Sequence, residues 1–288
     1  ALALALVAAF PARAATPAPA AASATPANCE PAGNLSFICG QQGPEDLVPV
    51  AGTPWVIASS LGDGALRLID SRNRSASVLF PARTAVDRPD TATYNACPGP
   101  LSATEKAAFK GHGLAVRAVG DGTHRLFVVH HGARESIEVF SLDLRGSAPR
   151  IAWIGCAITP GKASFNSVAA LPDGGFIATN FMERGAPMQP TLARLMAGEP
   201  YGEPYAWNTA SGWRKLDIGP VSGPNGIEVS PDGQWLYVAL WGNKALLRQS
   251  LGDGPRQRAT VSLDFRLDNI RLAADGMLYG AGQGDHSS

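Results

Sequence analysis

The sequence predicts an all-β fold of the β-propeller class, and three observations carry that prediction. A unit recurs along the chain at roughly 45 to 60 residues, within or near the spacing of propeller blades. Each unit joins a short strand of alternating apolar residues, a Gly-containing turn and a more apolar strand. These strand-like segments follow one another without alternating long helices, which argues against a parallel α/β sheet.

The units begin with EDLVPV at Glu45, HGLAVR at His112, FNSVAALPDGGFIATN at Phe165, NGIEVSPDGQWLYVAL at Asn225 and DNIRLAADGMLYGAG at Asp268. Turns are marked by Pro172-Asp173-Gly174, Pro231-Asp232-Gly233 and Asp275-Gly276, and ALRLIDS, SIEVFSLD and ALLRQSL read as outer strands. The clear helix signal is SATEKAAFKG, where Ser102 and Glu105 form a capping box and Gly111 closes the run. Residues 182–217 carry no readable motif and read as a loop-rich insertion. Trp207 and Trp213 lie there and either pack or line a substrate mouth, whereas Trp55, Trp153, Trp235 and Trp241 read as packing between blades. Four units look complete, and the fifth stops at GAGQGDHSS after about two strands. The expectation is a six-bladed propeller type lacking the last blade or so at the C-terminus of this chain; a small five-bladed ring is the alternative.

With 288 residues, 45% of them hydrophobic and 17% charged, the chain can bury a sizeable core. Lys+Arg and Asp+Glu balance at 24 each, which disfavours nucleic acid and anionic membrane surfaces as partners. Residues 1–14, ALALALVAAFPARA, read as a partial signal peptide with an A-x-A site at Ala12-Arg13-Ala14, too short to span a bilayer. Residues 15–28 form an Ala/Pro-rich disordered linker, and 29–288 the propeller domain. The chain is therefore expected to be secreted or periplasmic, with no integral membrane segment in its mature form. Four cysteines in an exported chain more often staple than catalyse. Of three pairings, Cys29–Cys39 with Cys97–Cys156 is favoured, the second bracketing one unit.

In a propeller the first strand of every blade lines the central channel, so residues at its start converge near one face. Glu45, His112, Asn166, Asn225, Asp268 and Asn269 share that register, and their polar heads suit a hard cation or a proton. Asn-Gly at 225–226 alone reads as a turn; its alignment with Asn166 and Asn269 favours a ligand. His130 and His131 are adjacent on one strand and face opposite ways, so one of them reaches the channel. His124 and His286 read as surface residues.

From about residue 40 onward, GPEDL, HGL, RLFVVHHGARESIEVF, NSVAALPDGGFIATN, PNGIEVSPDGQWLYVA and LDNI resemble, in order and spacing, the calcium-dependent six-bladed propellers of the paraoxonase/arylesterase type. These lie within the wider senescence-marker-protein/gluconolactonase and strictosidine-synthase-like group. The resemblance implies a catalytic Ca²⁺ held by Glu45, Asn166, Asn225, Asp268 and Asn269, with His112 paired to His131 to activate water. Gluconolactonase-like members use a smaller set, which would fall on Glu45, Asn225 and Asp268 with Asn166 near substrate; Asn269 and His112 favour the paraoxonase side. The oxygen-rich donor set also suits Ca²⁺ better than Zn²⁺. His112 has the side-chain chemistry of a general base.

Two departures qualify the match. A second, structural calcium of the family would fall on Asp46, the backbone of Leu114 and a carboxylate after Asn166, where this chain has Ser167. An Asp often follows the equivalent of Asn180, and here Phe181 stands there. The implied function is calcium-dependent hydrolysis of a small-molecule lactone or aryl ester. The alternatives are a non-catalytic binding propeller, or a strictosidine-synthase-like or gluconolactonase-like enzyme.

Overall fold

The computed structural model describes residues 30–252 and 254–284. Residues 30–37 belong to a separate small unit, in which Ala32 and Leu35 make an isolated antiparallel bridge. The proposed signal peptide, the whole of the linker, Cys29 and His286 lie outside the described residues.

From Ile38 on, the chain is a β-propeller built from successive antiparallel sheets. The first blade comprises β1 (Pro44–Pro49), β2 (Trp55–Ser60), β3 (Leu66–Asp70) and β4 (Ser75–Phe80). Next come the two-residue β5 (Val86–Asp87), the short helix α1 (Ala103–Ala107), and the second blade of β6 (Gly111–Gly120), β7 (Thr123–His131), β8 (Glu135–Asp143) and β9 (Arg150–Ile158). Strand β5 pairs in parallel with the outer edge of β9. The third blade has β10 (Ala163–Ala170), β11 (Phe176–Glu183), β12 (Glu203–Asn208) and β13 (Gly212–Lys215), with helix α2 (Met188–Met196) between its second and third strands. The fourth has β14 (Pro224–Val229), β15 (Trp235–Leu240), β16 (Ala245–Ser250) and β17 (Arg258–Ser262). Strands β18 (Arg266–Leu272) and β19 (Leu278–Gln283) pair as a two-stranded sheet. The described residues thus hold four complete blades and this pair, and all five predicted units begin on an inner strand.

Apolar side chains on both faces of the second strands fuse neighbouring blades. On β7, Leu126 and Val128 enter a cluster with Ile57, Leu66 and Phe80 of the first blade. Their alternating neighbours Phe127 and Val129 enter the next cluster, with Phe165, Val168 and Phe176 of the third. The same period of two sends Ile177 toward Ile227 and Leu236, and Ala239 toward Leu267 and Ile270. Strands buried on both faces read as near-continuous apolar runs, as FVV and FIA do.

The predicted capping box is present: Ser102 Oγ accepts from Glu105 N, and Glu105 Oε2 accepts from Ser102 N at 2.8 Å. The helix ends at Ala107, ahead of Gly111, which instead opens β6. The reading of 182–217 as a loop-rich insertion is corrected, since it contains α2, β12 and β13. Helix α2 was hidden because Pro187 caps it without a side-chain hydrogen bond. Trp207 and Trp213 are packing residues: Trp207 stacks between Tyr94 and Phe176, and Trp213 Nε1 donates to the Ile158 carbonyl. His124 is half-buried on β7 rather than a surface residue. Cys97 and Cys156 form the expected disulfide, tying the connection before α1 to β9.

Candidate functional site

Every inner strand is interrupted by a β-bulge at the same place. The register shifts between Pro44 and Leu47, Gly111 and Leu114, Phe165 and Val168, Pro224 and Ile227, and Leu267 and Ile270. A bulge leaves two residues unpaired and re-aims a side chain. The bulged pairs are Glu45-Asp46, His112-Gly113, Asn166-Ser167, Asn225-Gly226 and Asp268-Asn269. The first member of each pair lines one cavity of about 750 Å³. Two of the second members must be glycine: a Cβ on Gly113 would lie 2.4 Å from the Asn166 carbonyl, and one on Gly226 2.2 Å from the Asp268 carbonyl. The inner strands therefore approach closely enough to bring polar heads from successive blades together.

His112 and His131 both line this cavity and are joined there. His112 Nδ1 lies 3.0 Å from His131 Nε2, and His112 Nε2 lies 3.2 Å from Glu45 Oε1. On the far side, His131 Nδ1 lies 2.8 Å from Glu135 Oε2. Three contacts need three N–H groups, whereas two neutral imidazoles supply two, so a fully bonded chain carries one imidazolium. As expected of neighbours on a strand, His130 turns the opposite way; it is fully buried and stacks on Phe109.

The electrostatics reflect two carboxylates held near each other. The hydrogen bond from His112 holds the Glu45 carboxyl below its usual range, against the opposing effect of burial. Asp268 is pushed up, first by burial and then by the charge of Glu45, while the Asn225 amide opposes the shift. Asn166 Oδ1 and Asn225 Oδ1 are fully buried and have no hydrogen-bond partner. Such orphaned acceptors are costly unless something electropositive meets them. Two carboxylates and two orphaned amide oxygens fit a hard divalent cation. Among the described residues no group of three or more His, Cys, Asp or Glu gathers as a metal site, so the donor set depends on these amides.

Asn269 is placed differently from the other four expected ligands. It does not line the cavity, and its Nδ2 donates to the Glu45 carbonyl at 3.0 Å, tying β18 to β1. The other second members also look away from the cavity. Asp46, 2% exposed, accepts from the Leu114 backbone N–H at 2.7 Å and is gripped by Arg271. Arg271 also donates to the carbonyls of Leu47 and Leu114. A guanidinium thus stands where the family resemblance would put a second calcium, and Ser167 Oγ is buried there without a partner.

The sequence reading overlooked Arg271 and Glu135, and gave Trp241 another role. Trp241, expected to pack between blades, lines the cavity and meets Phe181 edge to face. Met182, Met188 and Leu192 extend this apolar wall, so the end of β11 and helix α2 line the cavity.

No family model matches the chain, and no curated protein matches it. Among solved structures it is similar to a candidate gluconolactonase, with a TM-score of 0.53 and 17% identity over 84% of this chain and 72% of that one. The hydrazine synthase of Kuenenia stuttgartiensis is similar at a TM-score of 0.50, with 14% identity over 83% of this chain and 68% of that one. A calcium-binding regucalcin from Agrobacterium tumefaciens gives a TM-score of 0.48 and 15% identity, over 84% and 68% of the two chains. At these identities the likeness shows the propeller fold alone, and neighbours named for such different chemistry share it.

Proposed function

We propose that the chain is a calcium-dependent hydrolase of lactones or aryl esters, exported to an oxidising compartment. The observation that carries this reading is the meeting, around one cavity, of Glu45, Asp268, the orphaned oxygens of Asn166 and Asn225, and the His112–His131 pair. Those four oxygen donors would hold the ion, with Asn269 bracing the strand behind Glu45. When bound, Ca²⁺ would supply Lewis-acid polarisation of a carbonyl and offset charge developing on its oxygen.

The chain's own residues do the rest. His112 takes a proton from an attacking water through Nε2, and passes it to the departing alkoxide or phenoxide oxygen as the acyl C–O bond breaks. His131 bonds to the other ring nitrogen of His112 and orients it. The wall of Phe181, Met182, Met188, Leu192 and Trp241 excludes water and supports apolar acyl or aryl groups over polyhydroxylated ones. The disulfide Cys97–Cys156 is compatible with export, and no helix among the described residues is long and apolar enough to cross a membrane.

The test is turnover of a small panel of lactones and chromogenic aryl esters, with calcium and with chelator. Hydrolysis that chelator abolishes and calcium restores supports the proposal. Turnover indifferent to chelator removes the metal, and none on the whole panel favours a binding propeller.

A further inference from the structure

Glu135 opens β8 directly opposite His131, the last residue of β7, across the turn formed by residues 132–134. Its backbone carbonyl accepts from Thr159 N at 3.0 Å, which fixes the strand end against β9. Both side chains are mostly covered, with 14% exposure for Glu135 and 24% for His131. Ser164 Oγ lies 3.4 Å from the same carboxylate oxygen and 3.5 Å from His131 Nδ1. Burial pushes the Glu135 carboxyl up, but the hydrogen bond and charge of His131, with Ser164, hold it below its usual range.

We infer that Glu135 is a positioning residue for the proposed hydrolysis: it keeps the His131 proton on Nδ1 and thereby turns the Nε2 lone pair of His131 toward His112. The inference rests on the reading of His112 as the base. An ionised carboxylate only accepts, so the proton of the 2.8 Å contact belongs to His131 Nδ1. His131 Nε2 must then accept from His112 Nδ1 across 3.0 Å. In the neutral pair, one proton short of the fully bonded chain, that leaves the lone pair on His112 Nε2, the cavity-side atom a general base uses, 3.2 Å from Glu45 Oε1. The reverse order would set a ring lone pair against the Glu135 carboxylate. Glu45 favours that reverse order, but from 3.2 Å, and Glu135 is the closer acceptor. A carboxylate that fixes an imidazole's tautomer need not itself take up the proton.

The test combines a spectroscopic reading with kinetics. Long-range ¹⁵N NMR of histidine-labelled protein, at about pH 8 and in chelator, reads the tautomer with no dependence on calcium binding or turnover. In the wild type His131 carries its proton on Nδ1. In Glu135→Gln the amide donates as readily as it accepts, Glu45 becomes the one carboxylate on the chain, and the proton moves to Nε2. With calcium, Glu135→Gln lowers kcat about 10–100-fold while KM and calcium affinity stay put. In a His131→Gln background the same change adds nothing, because Glu135 acts only through His131. A wild-type His131 protonated on Nε2, a tautomer unmoved by Glu135→Gln, or independent losses in the double variant would each overturn the inference. Absence of any hydrolysis by the wild type counts against the functional reading instead, and the NMR result still decides the role of Glu135.

Discussion

Arg271 Nη2 stands 2.5 Å from both carboxylate oxygens of Asp46, and also reaches the Leu114 carbonyl at 3.1 Å. One side chain from the two-stranded sheet therefore ties the inner strands of the first two blades together beneath the candidate site. Removing one partner of such a covered pair leaves the other charge uncompensated. Arg271→Met is expected to cost about 3–5 kcal/mol of stability by denaturant titration, against a negligible loss if the contact were an ordinary surface ion pair. The same guanidinium predicts that calcium binds once per chain and not twice, a stoichiometry that calorimetry reads directly.

Glu228 faces Arg271 Nη1 at 3.6 Å, and its carboxyl is pushed up to about 7, first by burial and then by Asp46, with Arg271 opposing. The folded state therefore binds this proton more tightly than the unfolded state. The stability contributed by that proton is full below the ordinary carboxylate value, and is lost as pH rises through about 7. Denaturation at about pH 5.5 and about pH 8 should show a fall that Glu228→Gln flattens. Equal pH dependence in wild type and variant would mean that Glu228 stays ionised throughout.

His112→Gln should lower hydrolysis by about 10²–10⁴-fold while calcium affinity stays near wild type, because the ring supplies a base and the oxygens supply the ion's ligands. Undiminished turnover would make His112 a lining residue of the channel.

Reduction of the Cys97–Cys156 disulfide, or its replacement by two alanines, is expected to cost about 2–5 kcal/mol. The bond anchors the segment before α1 at the outer strand of the second blade, away from the cavity. Turnover at temperatures where the variant stays folded should therefore be retained; its loss there would mean that the anchored segment shapes the site.

The inner strands were legible because each begins a repeating phrase, and the Asn-Gly and His-Gly pairs within it mark bulges where no Cβ fits. Their common register also exposed Glu45, His112, Asn166, Asn225 and Asp268 as one lining set. The separation of Asp268 from Asn269 was not legible, since a bulge decides which of two adjacent polar residues faces inward. Glu135 and Arg271 escaped for a related reason: each acts through a cross-strand or cross-blade partner, and neither carries a local motif. Helix α2 lacked a capping side chain, so its sequence resembled a loop.

On this reading Glu45, Asn166, Asn225 and Asp268 hold one calcium in the cavity they line. Isothermal calorimetry of the whole chain with calcium chloride, repeated on Asn225→Ala and Asp268→Ala, measures that binding. The expected result is one ion per chain for the wild type, with affinity lowered at least about tenfold in each variant, since each removes an oxygen ligand from a site with few of them. Calcium binding of unchanged affinity in both variants, or no binding to the wild type, would contradict it.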